Sequence, residues 1–123
     1  MVEYDGVEAA ETTQSMVALA FVQALANRNF EAAHRILTPA LQNELSLAAL
    51  ETKYANMFGY IEGKAIPEKI HTFGADSMKG WESRNPDDLG WAFVSIEGPG
   101  WMEAVAVIVT EQLLIREVEW GRP

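Results

Sequence analysis

The sequence predicts an α+β domain, with N-terminal helices packed on a curved, mainly antiparallel C-terminal sheet. Three observations carry that prediction. The first half shows helical periodicity punctuated by capping residues. From Gly59 onward a Gly or Pro arrives every few residues, and the segments between them are short and extended. The segments after Asp87 are joined by loops too short to hold crossover helices, so their strands must pair antiparallel.

Residues 12–28 form an Ala- and Leu-rich run with no Gly or Pro. Val17, Phe21, Ala24 and Arg28 trace one stripe at helical spacing, and Met16, Leu19, Ala20 and Gln23 trace its neighbour. Apolar residues almost all round predict a helix covered on most sides. Thr12 or Thr13 serves as its N-cap, and the polar triplet 27–29 stops it. Asn29 caps a second helix over residues 30–37, and Thr38-Pro39 repeats the pattern of hydroxyl cap followed by Pro. Ser46 opens a further helix to about Met57, with Leu45 before the cap and Leu50 after it placed as a hydrophobic staple.

In the second half, residues 69–73 read as a strand and 77–81 as its continuation or partner. Residues 91–97 are β-branched and aromatic, and the Glu97-Gly98-Pro99-Gly100 run is a strong turn signal. Trp101–Thr110 contains AVAVIVT, apolar on both faces, which predicts a central strand in a sheet covered on both sides for part of its length. Strand alternation sets Val105 and Val107 on one face, Ala106 and Ile108 on the other. A weak turn at Glu111-Gln112 leads into the last strand, residues 113–120.

Composition bounds the function classes. The chain has 123 residues, 49% hydrophobic and 22% charged, in keeping with a single domain spanning residues 1–123. The absence of Cys removes disulfides, thiolate metal sites and a Cys nucleophile. A net charge of −9 argues against nucleic acid or an anionic membrane as the main partner, since phosphates are bound by compensating cations. The first eleven residues carry four acids and no base, unlike a secretory signal. The longest nearly apolar stretch, residues 16–26, is eleven residues long and contains Gln23, short of the roughly twenty that cross a bilayer. The expectation is a cytoplasmic protein.

The run FVQALANRNFEAAHRILTPALQNELSLAALETKY resembles the opening of the nuclear transport factor 2-like superfamily, also called cystatin-like or ketosteroid-isomerase-like. Its parts are a long first helix ending near Ala26, a polar break at 27–29, the aromatic Phe30, and an Ala32-Ala33 helix. The three C-terminal strand segments look like that family's final strands. The resemblance implies a cone-shaped domain whose bent sheet wraps the first helix around a cavity, with homodimers formed through the outer sheet face. It also implies where chemistry would lie. Family enzymes place acid/base groups inside the cone, and this chain offers Tyr54, Tyr60, His71, Asp76 and Glu103, at spacings that reproduce neither family pattern.

No zinc-helix motif, phosphate loop, dinucleotide fingerprint or nucleophile elbow is present, and no cofactor is implied. His34 and His71 are the only histidines. His71, alternating with Ile70 and Thr72, either faces the cavity as a base or sits on the exposed sheet face. Tyr54 lies at helical spacing from Leu47 and Leu50, at the core edge. Asp87-Asp88 reads as a solvated turn rather than a metal site. The four tryptophans, Trp81, Trp91, Trp101 and Trp120, line a binding surface or fill a wide core. Arg116 is placed to pair with Glu103 or Glu117.

Two functions follow. One is a non-catalytic binding protein holding a protein partner, a basic one in the manner of an immunity protein against a cationic toxin, or a small apolar ligand. Its expected contact site is Trp81 rimmed by Glu82, Asp87 and Asp88. The alternative is a small lyase or isomerase acting on an apolar ring or polyketide-like substrate, with His71, Tyr54 and Tyr60 as the catalytic groups.

Overall fold

A computed structural model describes residues 12–121 except 62 and 64; the acidic start and the chain's last two residues lie outside the described residues. The element order is α1 (Thr13–Ala26), α2 (Phe30–Arg35), α3 (Pro39–Glu44), α4 (Leu47–Met57), then β1 (Lys69–Asp76), β2 (Asp88–Gly98), β3 (Trp101–Thr110) and β4 (Ile115–Trp120). This is an α+β chain with its helices first. Each helix begins where a side-chain oxygen accepts an orphan backbone N–H. Thr12 accepts from Ser15, Asn29 from Ala32, Thr38 from Leu41 and Ser46 from Ala49. Leu45 and Leu50, on either side of the Ser46 cap, are both buried.

The four strands form one antiparallel sheet in the order β1-β2-β3-β4, so β3 is an interior strand, as its apolar run predicts. α1 packs on one face of this sheet. Phe21, Val22 and Leu25 are fully buried there against Ala92, Val94 and Ile96 of β2 and Val105, Val107 and Val109 of β3. Phe58 meets Trp101 at 5.3 Å between ring centroids, and Phe21 meets Trp120 at 6.3 Å. Two of the four tryptophans therefore fill the core. Among the described residues no helix is long and apolar enough to cross a membrane.

The structure refines the sequence reading element by element; β1 runs on to Asp76 and β2 begins already at Asp88. α1 is covered on most sides, as expected, with Met16, Ala20 and Gln23 forming the exposed stripe. α2 stops at Arg35 rather than at 37, because Leu37 leaves the helix to bridge Ile115, with the Ile115 N–H donating to the Ile36 carbonyl at 2.8 Å. Residues 77–81 lie outside any strand: Met78 and Gly80 have φ of 65° and 88°, left-handed values that break extended backbone, and the Met78 side chain is fully buried. β4 starts at Ile115 rather than 113, because Leu113 also has a left-handed φ of 66° and its N–H closes a turn onto the Thr110 carbonyl.

Candidate functional site

Strand alternation sorts the sheet residues onto two faces. With Ala92, Val94 and Ile96 turned toward the helices, Trp91, Phe93, Ser95 and Glu97 turn to the outer face. Their β3 partners in register are Ile108, Ala106, Ala104 and Met102, and beyond them Glu117 and Glu119 of β4 stand opposite Ile108 and Ala106. On the other side a bulge between Thr72 and Gly74 makes Phe73 an extra residue in β1. Its ring lies against Phe93 at 5.4 Å.

The outcome is a row of four rings on the outer face. Phe73 contacts Phe93, Phe93 contacts Trp91 at 5.8 Å, and Trp91 contacts Trp81 at 6.4 Å, all tilted pairs within the range where rings attract. Phe73 is 59% exposed and Trp81 45%. Between the Trp81–Trp91 end and β4 lies a groove of about 410 Å³, lined also by Ser83, with Ala106 and Ile108 as floor and Glu117 and Glu119 along its far edge. The small side chain at 106 helps leave this channel between larger aromatic and acidic neighbours. The second face of β3 is buried from Ala104 to Thr110 and exposed at Met102, coverage for part of its length as expected.

That loop, residues 77–87, is held by guanidinium groups. Arg116 donates from Nε and Nη2 to the two carboxylate oxygens of Asp88 at 2.7 Å each, and from Nη2 to the Ser83 carbonyl at 2.9 Å. Arg84 donates to the Ser77 and Asp88 carbonyls. The Asn85 backbone N–H completes the shell around Asp88 at 2.8 Å. A register shift on β4 between the partners of Ile108 and Val109 makes Arg116 an extra residue there. The Arg116 hydrogen bonds, helped by the Asn85 N–H and the charges of Arg116 and Arg84, hold the Asp88 carboxyl below its ordinary range against desolvation.

The expected site residues divide accordingly. Trp81 is exposed, and Glu82 and Asp87 stand exposed on its loop. Asp88 is fully buried in the ion pair with Arg116 and takes no place in an exposed rim. Arg116 correspondingly spends its short bonds on Asp88, leaving only a 3.5 Å contact to Glu117. The groove's acidic edge comes instead from β4. Phe73, Phe93 and Glu119 escaped the sequence reading, although the alternation of Trp91 with Phe93 and of Glu117 with Glu119 carries the signal.

His71, Tyr54 and Tyr60 do not converge. His71, in register with Ser95, lies on the outer face, where Nε2 meets Glu97 Oε2 at 2.7 Å; Ser95 Oγ donates to the same oxygen at 3.2 Å. The His71 contact, with Ser95, keeps the Glu97 carboxyl below its usual value. Tyr54 is on the helix side, edge-on to Phe58 at 5.0 Å, and burial pushes its hydroxyl up to about 12 despite the opposing charge of Arg28. A hydroxyl in that state stays protonated near neutral pH and provides no base. Tyr60 is exposed, its hydroxyl donating to the Met102 carbonyl. A separate cleft of about 520 Å³ joins Tyr54 and Arg28 to Ala26, Ala65, Ile66 and Pro67. Among the described residues no three His, Asp or Glu side chains gather as metal ligands.

Compared with protein-family profiles, with curated proteins and with solved structures, the chain matches none.

Proposed function

We propose that this chain is a non-catalytic binding protein whose outer sheet face holds a basic protein partner. The observation that carries the reading is the row Phe73–Phe93–Trp91–Trp81, exposed at both ends and half-buried between, beside Glu117 and Glu119. Rings of this size supply contact area that loses its water on docking, and carboxylates around them set orientation and encounter rate. A net charge of −9 favours a cationic partner over a second copy, since two such faces would bring like charges together. The placement of His71 on the outer face and Tyr54 on the helix side supports this reading over the enzyme alternative. The helices-first order and antiparallel sheet support reading the chain as nuclear transport factor 2-like.

The test begins with affinity capture from the native host, followed by reconstitution of the purified pair. A partner of net positive charge is expected, with amide protection on complex formation confined to β1–β4 and the 77–87 loop. Phe73→Ser should weaken the complex, and association should slow as salt rises. A partner that binds the Phe73→Ser variant unchanged, or an association rate indifferent to salt, overturns the proposal. Self-association that disappears in Phe73→Ser would assign the face to a second copy instead.

A further inference from the structure

The groove under Trp81 has a chemistry more specific than general acidity. One wall is indole, from Trp81 on the loop and Trp91 on β2; the floor is Ala106 and Ile108, both less than a tenth exposed; the opposite edge is Glu117 and Glu119. An apolar wall facing carboxylates across a shallow channel suits a group that is flat, weakly hydrated and cationic. The flat face of such a group lies against a π-system, and its edge donates to oxygen. Glu117 and Glu119 remain available for it. The short bonds of the neighbouring Arg116 go to Asp88, Glu117 keeps only a 3.5 Å contact with that guanidinium, and both glutamates are exposed.

Resting on the proposed binding face, we infer that this groove takes an arginine side chain of the partner, its guanidinium against the indole wall and its N–H edge toward Glu117 and Glu119. Arginine fits better than lysine. A planar guanidinium stacks and donates in a fixed fork, whereas an ammonium is a compact, strongly hydrated charge that gives up more water on entering an apolar channel. A volume of about 410 Å³ is in the range of small-ligand sites, ample for one side chain and its flanking backbone.

The experiment uses three peptides of equal length, nona-arginine, nona-lysine and nona-citrulline, titrated at low salt while the indole N–H resonances are followed. Citrulline keeps the planar shape without the charge. Nona-arginine should bind about five-fold or more tighter than nona-lysine, the size of a modest cation–π preference, with nona-citrulline silent. Trp81→Ala should remove most of the arginine preference while leaving nona-lysine binding nearly unchanged, and Glu119→Gln should weaken nona-arginine several-fold more than nona-lysine. Glu119→Gln alters an exposed side chain, so it reports even if Trp81→Ala loosens the loop. Equal binding of the two cationic peptides, unaffected by either substitution, overturns the arginine groove and leaves the basic-partner reading standing. Binding of nona-citrulline equal to nona-arginine overturns the role given to charge. Failure of both cationic peptides to bind removes the groove and the acidic face together.

Discussion

Replacing Arg116 by Met would separate a structural ion pair from the ordinary run of surface charges. Asp88 is fully buried, and its two oxygens accept from one guanidinium at 2.7 Å each. Met keeps much of the apolar stem and removes the charge and both donors. Asp88 is then left as a buried carboxylate with the Asn85 N–H, and the Arg84 charge nearby, as its remaining support. Orphaning one member of a buried pair typically costs about 3–5 kcal/mol, against about 0–1 kcal/mol for an exposed pair. For a chain of this size, that lowers Tm by on the order of 10–20 °C. The reverse change, Asp88→Asn, should cost less, about 1–3 kcal/mol, because Arg116 is partly exposed and keeps the Ser83 carbonyl.

Protonation supplies an independent check. The folded state holds Asp88 below its ordinary carboxyl range, so the pair's stabilisation is fully present above the unfolded value of about 3.9. It is lost as pH falls through the lower folded value. In Arg116→Met burial dominates, the Asp88 carboxyl rises above its unfolded value, and acid relieves the penalty. The stability difference between wild type and variant, read from urea melts at a series of pH values, should therefore shrink from neutral pH to about pH 3. A loss below about 1 kcal/mol at neutral pH, or a difference that stays constant with pH, would show that Asp88 is not a buried charge held by Arg116.

Other expected outcomes follow from the same geometry. Ile108→Ala should destabilise by about 2–5 kcal/mol in denaturant melts, the range for emptying a buried aliphatic site, although Ile108 faces away from the helices. Gly90→Ala would set a Cβ 2.4 Å from the Asp76 carbonyl oxygen and 2.7 Å from Gln14 Nε2; a cost of about 1–3 kcal/mol in the same assay is expected from the forced shift of backbone. His71→Asn should move the Glu97 titration midpoint, followed by NMR, upward toward the ordinary carboxyl value, because the imidazole contact is the main cause of its depression. An unmoved midpoint would leave that contact without electrostatic consequence.

The helical half was legible because its signals are local. Caps at Thr12, Asn29, Thr38 and Ser46 act within three residues of themselves, and a reader needs no tertiary information to find them. The interior place of β3 was legible for a related reason, since a strand apolar on both faces has few places to lie other than inside a sheet. The 77–87 loop was not. A Gly–Trp pair beside polar residues reads equally as a strand end or a turn, and the left-handed backbone of Met78, whose N–H donates to Asp76 Oδ1 and whose side chain is buried, has no signal in its residue type. Asp88 shows the same limit. In sequence it is one of two adjacent acids in a polar turn; its burial depends on a guanidinium supplied 28 positions later by a bulge in β4. The groove's far edge was hidden because opposition of Ala106 to Glu119 and of Ile108 to Glu117 is a matter of register, which the weak turn at Glu111-Gln112 does not fix.

These placements divide the charge on the outer face into two kinds with different responses to salt. Asp88 and Arg116 sit close together with the acid out of water, so dissolved ions screen their attraction little. Glu117, Glu119, Glu82 and Asp87 are exposed, and their attraction for a partner is screened within about 8–10 Å at moderate salt. The two arginines that hold the loop are meanwhile bonded within the chain. Arg116 is fastened to Asp88 and Ser83, and Arg84 to two backbone carbonyls. Anchoring the loop therefore positions Trp81 and commits the short bonds of Arg116 to Asp88 and Ser83, with Glu117 left a 3.5 Å contact. Raising salt from 50 mM to 500 mM should accordingly weaken partner binding severely while changing Tm little, measured on the same samples. A Tm that falls in step with affinity would mean that the exposed acids, and not the buried pair, hold the loop in place.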